Sequence, residues 1–387
     1  MTPSVNAGLP IREYLLVALT AAAVTFLLTG LVRRFAVRIG AVATPRARDV
    51  HVIPIPRMGG IAMYCGVVGG MALAHQLPVL RRAFEYSLDP QGVLLGGAVI
   101  VLIGALDDRF ELDAWTKLAG QVMCAGILVI FGVQWNSFWV PWGGNGDVLG
   151  SVLVLDKNQG GLLAVLLVVV MVNAMNFVDG LDGLAGGLGL IAASATLAFS
   201  LGLLAGANND VNSYPPALIA ATLAGACLGF LPHNFQPARI FMGDSGSMMI
   251  GLMLAAASTS ASGKINYTRL GPSNTLALLS PLFVVAAVLF LPLLDLLLAV
   301  IRRTRRGESP FAADKMHLHH RLLEIGHSQR RAVLLIYLWA GLLAFGAVSV
   351  TLVDSVAMLW VVGAGLVLAA VISAVPRLKS RNQQGAT

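Results

Sequence analysis

Three separate aspartate clusters in this chain of 387 residues have residue types and spacing suited to chemistry. Asp107 and Asp108 are adjacent. Asp179 and Asp182 are three residues apart, each followed by glycine, and Asp244 stands in the run Phe-Met-Gly-Asp-Ser-Gly. Carboxylates bind hard cations such as Mg²⁺, which takes one or two of them together with substrate phosphates. The pattern therefore predicts magnesium-assisted chemistry on a phosphate compound.

A fourth polar cluster contains three histidines in a basic segment, His317, His319 and His320, followed by Arg321. Histidines at this spacing admit a zinc site. The carboxylates elsewhere in the chain, and the absence of a Cys-x-x-Cys pair among its three cysteines, favour oxygen ligands instead. We therefore interpret the histidines as hydrogen-bond donors to phosphate.

Each cluster also has a purely structural interpretation. Asp107 and Asp108 come at the C-terminal end of a predicted helix, where the helix dipole disfavours anions. They require a cation, which Arg109 or a metal could supply, or they form a solvated loop. Aspartate is a good N-cap, so Asp179 and Asp244 could simply begin the helices that follow. At this point both interpretations stay open.

The segments between the clusters are too apolar for a water-soluble protein. Hydrophobic residues make up 57% of the chain and charged residues 12%, whereas soluble domains carry about 25% charged residues. The mean hydropathy is +0.79. Backbone groups in lipid must be satisfied within their own segment, so each apolar run is expected to be a helix. These runs are 13–31, 59–76, 91–106, 118–133, 160–176, 184–206, 216–231, 246–260, 275–301, 332–350 and 355–374.

The predicted fold is thus all-α: a polytopic membrane helix bundle of about 11 transmembrane helices, forming a single transmembrane catalytic domain over residues 1–387. The distribution of Lys and Arg predicts an external N-terminus and a cytosolic C-terminus, since 20 of the 26 then face the cytosol. The principal cytosolic segments are 32–58, 107–117, 176–184, 232–245 and 302–331. All four polar clusters fall on this side, and the net charge of +7 reflects topology rather than nucleic-acid binding.

Taken in order, the motifs resemble those of the polyprenyl-phosphate N-acetylhexosamine-1-phosphate transferases. The resemblance covers about residues 45–325 and rests on five motifs, of which no single one is specific. The motifs are Arg48-x-x-His51-x-x-Pro-x-Pro56-x-x-Gly59-Gly60, Asp107-Asp108, Asn176-x-x-Asp179-Gly-Leu-Asp182-Gly183, Phe241-Met-Gly-Asp244-Ser-Gly and His317-x-His319-His320. One position departs from the pattern, because Asp49 stands where relatives commonly carry lysine.

The resemblance implies transfer of a sugar 1-phosphate from a UDP-sugar to a membrane polyprenyl phosphate, with Mg²⁺ as cofactor, Mn²⁺ as a substitute and UMP as product. Leu318 interrupts the run of histidines. This interrupted motif is more similar to the one found in the branch of the family that uses UDP-N-acetylglucosamine. The alternative within the family is a UDP-MurNAc-pentapeptide phosphotransferase. The alternative from another class is an ion-coupled transporter. Of the aspartates considered, only Asp295 fits that alternative, because it lies inside an apolar run.

The resemblance also implies roles for individual residues. Asp244 would hold Mg²⁺ on the diphosphate, with Asp108 or Asp179 nearby. Asp107 would accept the proton of the polyprenyl phosphate. The other expected catalytic residues are Asp108, Asp179, His317, His319 and His320. The expected substrate-binding residues are Asn176, Asp182, Gly183, Arg321, His51 and Arg57.

The expected location is the bacterial plasma (inner) membrane, with a multi-pass chain and an active site facing the cytoplasm. The expected partners are the UDP-sugar, the polyprenyl phosphate and membrane lipids, and no nucleic acid. The reaction would be the first membrane step of a cell-envelope glycan. Polyprenyl length, the use of a covalent intermediate and the formation of a homodimer are left open by the sequence.

Overall fold

The computed structural model describes residues 9–43, 54–140, 151–206, 213–263, 328–352 and 356–374, with a few single positions between 286 and 307. The first helices are α1 (Ile11–Ile39), α2 (Gly59–Ala74), α3 (Arg82–Glu85), α4 (Asp89–Phe110), α5 (Ala114–Ile130) and α6 (Lys157–Val178). The later ones are α7 (Leu184–Gly206), α8 (Tyr214–Asn234), α9 (Gly243–Gly263), α10 (Gln329–Leu352) and α11 (Val356–Ala374).

Two short antiparallel hairpins complete the described part of the chain. Strands β1 (Val42–Ala43) and β2 (Ile55–Pro56) lie between α1 and α2. Strands β3 (Ser137–Val140) and β4 (Ser151–Val154) lie between α5 and α6.

The structure confirms a helical, polytopic membrane architecture. Within the described residues, five helices are long and apolar enough to cross a membrane: Ile11–Ile39, Lys157–Val178, Leu184–Ala205, Tyr214–Asn234 and Gln329–Leu352. Shorter apolar helices occupy Gly59–Ala74, Ala114–Ile130 and Ala357–Ser373. The predicted run 275–301, with Asp295, lies outside the described residues. The number of spans and their orientation remain predictions.

Helix α8 forms the centre of the described bundle. It packs against α1, α2, α7 and α9, and nearly every one of its residues is buried. Its contact with α1 is so close that a Cβ at Gly225 or Gly229 would come within 2.1 Å of a carbonyl oxygen of α1. Small residues allow this approach, which is how membrane helices gain packing contacts without a hydrophobic driving force.

Four helices meet beside this centre and carry the polar motifs at one end. Helix α9 packs against both α4 and α6, and α5 packs against the same two helices. Helices α4 and α6 are antiparallel to α5 and α9. The C-terminal ends of α4 and α6 therefore lie beside the N-terminal ends of α5 and α9. The residues brought to this common end are Asp107, Asp108, Lys117, Asn176, Asp179 and Asp244.

Candidate active site

The turn between α4 and α5 brings a lysine onto the first aspartate of the pair. Only residues 111–113 separate the two helices, and Asp113 caps α5 by accepting a hydrogen bond from the Thr116 N–H at 3.3 Å. Lys117 lies in the first turn of α5, where its Nζ is 2.7 Å from Asp107 Oδ2. The backbone N–H of Leu112 donates to Asp107 Oδ1 at 2.8 Å. The turn therefore fixes both oxygens of Asp107.

The same lysine reaches a carboxylate of another helix. Lys117 Nζ is 2.8 Å from Asp244 Oδ2 in the first turn of α9. The ammonium thus bridges two carboxylates that are more than 130 positions apart in the sequence. The Asp107 side chain is only 8% exposed, whereas Asp244 and Lys117 are 24% and 28% exposed. The cluster is therefore buried on the Asp107 side and open to solvent on the other.

Asp108 holds the beginning of α9. Its Oδ1 accepts from the Asp244 backbone N–H at 2.9 Å, and its Oδ2 accepts from the Ser245 hydroxyl at 2.8 Å and the Ser245 N–H at 3.4 Å. The carboxylate lies at the unfavourable C-terminal end of its own helix but also at the N-terminal end of α9, where the dipole favours an anion. Asp244 itself is the second residue of α9 and is not its cap, contrary to the structural interpretation of the sequence.

Glycines let α9 approach the neighbouring helices at this point. A Cβ on Gly104 would lie 2.4 Å from the backbone of Ser245, and one on Gly60 would lie 2.2 Å from the N atom of Gly246. Gly243 has a φ of +69°, and a Cβ there would meet both Asp108 oxygens at 2.3 Å. The first turn of α9 is thus wedged between α2 and α4, which fixes where Asp244 points.

Two of the motifs that carried the family resemblance meet here through their backbones. The N–H groups of Gly59 and Gly60, which begin α2, donate to the carbonyls of Phe241 and Met242 at 3.0 Å. The N–H of Phe241 donates back to the Pro56 carbonyl at 2.9 Å. The free N–H groups at the start of α2 are thus satisfied by the segment that leads into Asp244.

The end of α6 supplies an amide and a further carboxylate. Asn176 Nδ2 donates to the Ser247 hydroxyl at 3.1 Å, and the Asn176 side chain contributes to the lowered pKa of Asp244. Helix α6 ends at Val178, and Asp179 follows with φ −73° and ψ 56°. Asp179 and Asp182 therefore do not lie on a shared helical turn.

The loop after Asp179 is fastened from three sides. Asp182 Oδ2 accepts from the Ala238 N–H at 3.0 Å, and the Gly183 N–H donates to Asn234 Oδ1 at 3.1 Å. The Tyr337 hydroxyl of α10 donates to the Gly183 carbonyl. Asp182 is buried, and its hydrogen bond with the Ala238 N–H orders the loop.

The carboxylates influence one another's ionisation. Burial, with the charges of Asp244 and Asp108, raises the pKa of Asp179 to about 8, although Arg57 acts in the opposite direction. Burial raises the pKa of Asp108 to about 7 despite the hydrogen bonds donated by Asp244 and Ser245. Both residues lie beyond the apolar runs 91–106 and 160–176. At neutral pH the carboxyl of Asp179 is therefore largely protonated and that of Asp108 partly so, because burial disfavours their charged forms.

The two carboxyls bridged by Lys117 have pKa values shifted in opposite directions. Burial and a hydrogen bond with the Asp244 carboxyl raise the pKa of Asp107. Burial also acts to raise the pKa of Asp244, but hydrogen bonds from Asp107, Lys117 and Asn176 lower it overall. Asp107 is thus the more basic oxygen and Asp244 the more firmly ionised one.

These side chains fit a hard cation that is completed by substrate. Asp107 and Asp244 each turn one oxygen toward the same ammonium, so two carboxylate oxygens already converge on one positive charge. Among the described residues, no three Asp, Glu, His or Cys side chains converge as a metal cage, so Asp108, Asp179 and Asp244 do not form a ready three-ligand cluster. Mg²⁺ commonly takes one or two carboxylates plus phosphate oxygens. The carboxylates of Asp107 and Asp244 fit this coordination.

Several expected site residues lie outside the described residues, namely His51, His317, His319, His320 and Arg321. Arg57 is described, and its charge acts on Asp179. Its backbone N–H donates to the Ala41 carbonyl at 2.9 Å.

Sequence reasoning missed Lys117, Ser245, Asn234 and Tyr337. It offered Arg109 as the cation for the aspartate pair, but the Arg109 guanidinium lies over the Phe110 ring, 5.3 Å from its centre. A usable signal existed for Lys117, which is the single charged residue of an otherwise apolar helix. Asn234 and Tyr337 bind backbone groups of Gly183, which is distant in the sequence. Such contacts produce no pattern that the sequence could show.

Comparison with known proteins identifies the family of this chain. Residues 90–262, which contain the six helices α4–α9 apart from their outermost residues, match the family model of glycosyl transferase family 4. The chain is 56% identical over 98% of its length to decaprenyl-phosphate N-acetylglucosaminephosphotransferase of Mycolicibacterium smegmatis, covering 92% of that protein. Identity to the protein of the same name from Mycobacterium tuberculosis is 57%, covering 97% of this chain and 91% of that protein. Identity to undecaprenyl-phosphate alpha-N-acetylglucosaminyl 1-phosphate transferase of Escherichia coli K12 is 30%, covering 81% and 77%.

Proposed function

The chain belongs to glycosyl transferase family 4, and we propose that it transfers N-acetylglucosamine 1-phosphate from a UDP-sugar to a membrane polyprenyl phosphate. The products are polyprenyl-diphosphate-N-acetylglucosamine and UMP. The names of the similar proteins support the sugar and the acceptor. The observation that carries the proposal is the convergence of Asp107, Lys117 and Asp244 from three helices.

The reaction is a phosphoryl transfer between two anions. An oxygen of the polyprenyl phosphate attacks the sugar-bearing phosphorus of the UDP-sugar, a new P–O–P linkage forms, and the bond to the departing UMP breaks. Such transfers depend on positioning and charge neutralisation more than on covalent help from the protein. A site that joins carboxylates, an ammonium and an amide at the ends of rigid helices meets that requirement.

Asp107 is the proposed base. The second pKa of a phosphate monoester is near 6, so its last proton is readily taken by a carboxylate whose own pKa is raised above the usual range. Oδ1 of Asp107 is held by the backbone of Leu112, which leaves Oδ2, the oxygen facing Lys117, to receive the proton. Lys117 would offset the charge that remains on the phosphate.

Asp244 is the proposed principal metal ligand. When bound, Mg²⁺ would neutralise oxygens of the diphosphate. Asp244 is suited to hold it because its carboxyl stays ionised and is partly exposed. Both oxygens of Asp108 already cap α9, so Asp179 is the better second ligand. Asn176 would orient Asp244, and the histidine segment with Arg321 would offset charge on the departing UMP.

The site is proposed to face the cytoplasm of a bacterium, where nucleotide sugars are available, at the inner surface of the plasma membrane. The excess of Lys and Arg in the segments on that side supports this orientation. In this arrangement a water-soluble donor and a lipid acceptor reach one pocket from different phases.

The experiment that tests the proposal is an assay of the purified protein with polyprenyl phosphate, Mg²⁺ and a panel of UDP-sugars. We expect UMP and a lipid-linked product in equal amounts with UDP-N-acetylglucosamine. Preference for UDP-MurNAc-pentapeptide would correct the donor. Turnover with none of the sugars, by a folded protein, would refute the proposal.

A further inference from the structure

A second polar contact lies one helical turn deeper than the carboxylate cluster and joins α5, α6 and α9, of which α5 and α9 also carry the cluster. Asn173 Nδ2 of α6 donates to Gln121 Oε1 of α5 at 2.6 Å, and Gln121 Nε2 returns a bond to Asn173 Oδ1 at 3.5 Å. Gln121 Nε2 also lies 3.9 Å from the Met248 sulfur of α9. We call these three residues the deep junction.

The deep junction repeats the arrangement of the catalytic cluster above it. Gln121 follows Lys117 by four residues, Asn173 precedes Asn176 by three, and Met248 follows Asp244 by four. Residues three or four apart lie on the same face of a helix. Each of α5, α6 and α9 therefore contributes one residue at the level of Asp244 and one residue to the deep junction.

The amide pair constrains the helices in a way that an apolar contact does not. Gln121 is only 3% exposed, whereas Asn173 lies at the exposed surface of α6. The buried amide of Gln121 is costly unless its donors and acceptor are satisfied. The remaining N–H of Asn173 donates to the Val169 carbonyl of its own helix at 2.8 Å. Both amides are thus satisfied together at a single rotation and register of α5 against α6, whereas leucine side chains would allow several.

We infer that Gln121 and Asn173 are positioning residues for the transfer reaction, a conclusion that rests on the proposed function. Their reciprocal amide contact, backed by Met248, fixes the rotation of α5 and α6 against α9. That rotation determines whether Lys117 and Asn176 both reach Asp244. Neither residue is assigned a contact with substrate.

The first test removes one amide at a time with Gln121→Met and Asn173→Leu, which keep the size of each side chain. A misplacement of about 1 Å at a reacting centre can cost about 100-fold in rate, so we expect kcat to fall at least about tenfold. KM for both substrates should stay near the wild-type value, because the binding surfaces are unchanged.

The second test exchanges the amides between the helices with the double variant Gln121→Asn and Asn173→Gln. The combined length of the two side chains is unchanged, so the reciprocal contact can form again. We expect kcat to return to near the wild-type value. Ser260→Ala is the matched control, because Ser260 is a buried residue of α9 whose hydroxyl donates to Asp89 of α4 at the far end of the bundle.

A third measurement does not depend on turnover. Lys117 lies between two carboxylates, which shield its ammonium from an amine-acetylating reagent. Mass spectrometry of the acetylated protein should show faster modification of Lys117 in the two single variants. The rate should be that of the wild type in the exchanged double variant and in Ser260→Ala.

Lower kcat and faster acetylation in the single variants, both restored by the exchange, would support the inference. Wild-type kcat and acetylation in the single variants would overturn it, as would a folded exchange variant that stays impaired. If a single variant does not fold, the exchange variant alone decides. A wild-type protein without transferase activity would refute the proposed function, and the acetylation rates would still test the positioning role.

Discussion

Lys117 is the residue on which the site depends most directly. Two carboxylates that share a partly buried position repel each other, and one of them normally takes up a proton. Here the ammonium lies within 2.8 Å of both, so it keeps them together without a metal. A divalent ion on the same oxygens would meet a pair that is already aligned.

Replacement of Lys117 by methionine should therefore impair catalysis strongly. The loss of one charged group at the transferring phosphate is expected to reduce kcat by about 100-fold or more. UMP release by the purified variant measures this. Arg81→Ala is the control, because it removes a cation from an exposed ion pair with Glu85 and should leave kcat unchanged. Equal activity of Lys117→Met and the control would exclude Lys117 from the reaction.

Asp108 should behave differently from its neighbour, because its carboxylate caps a helix. Asparagine at this position keeps one acceptor but places an N–H₂ group against the donors of Ser245. Hydrogen bonds to a charged group contribute about 1.5–3 kcal/mol, so Asp108→Asn should lower the free energy of unfolding by about 2 kcal/mol. Thermal unfolding in detergent measures the change.

Asp113→Asn is the matched control for that prediction. Asp113 also caps a helix, α5, but it is exposed and uses one oxygen. Asparagine caps about as well as aspartate, so this variant should unfold at the wild-type temperature. An Asp108→Asn protein as stable as the control would contradict the assigned role.

At the scale of elements, the site depends on how closely α9 approaches α4 and α2. Helix glycine-to-alanine changes usually stabilise by about 0.5–1 kcal/mol. Gly104→Ala should instead destabilise by about 1–3 kcal/mol, because its Cβ would lie 2.4 Å from the backbone of Ser245. It should also lower kcat, since Asp244 moves with that turn.

Gly96→Ala in the same helix provides the comparison. The nearest atom to its Cβ would be 3.5 Å away, an ordinary contact. We expect this variant to fold and turn over like the wild type, as measured by thermal unfolding and UMP release. If Gly104→Ala matched Gly96→Ala in both measurements, the tight α4–α9 contact would not be what positions Asp244.

The elements also show what the sequence could and could not predict. The apolar runs predicted the described helices closely, because lipid leaves a backbone few other choices, and the aspartate pattern indicated which helix ends matter. The segment limits place Lys117 in a loop, because the apolar run begins at residue 118. The sequence also allows Asp244 as the cap of α9, since local sequence cannot show that Asp108 of another helix supplies it.

At the scale of the whole molecule, the proposal requires all polar helix ends to face the cytosol. A cysteine introduced at Ser309 in the 302–331 segment should be protected from an impermeant thiol reagent in intact cells. Tyr86→Cys should be labelled, because Tyr86 is 65% exposed and lies in a segment predicted to be external. The native protein, with its three cysteines, sets the background. Labelling at position 309 but not at position 86 would invert the topology.

The central claim is that Asp107, Lys117 and Asp244 form a single magnesium-dependent site for transfer of sugar 1-phosphate. Its most direct test is UMP release from UDP-N-acetylglucosamine and polyprenyl phosphate by the wild type and by Asp244→Asn, with Mg²⁺ and with a chelator. We predict turnover by the wild type in Mg²⁺, none in chelator, recovery when Mg²⁺ or Mn²⁺ is returned, and none by folded Asp244→Asn. Full turnover in chelator, or by Asp244→Asn, would contradict the claim.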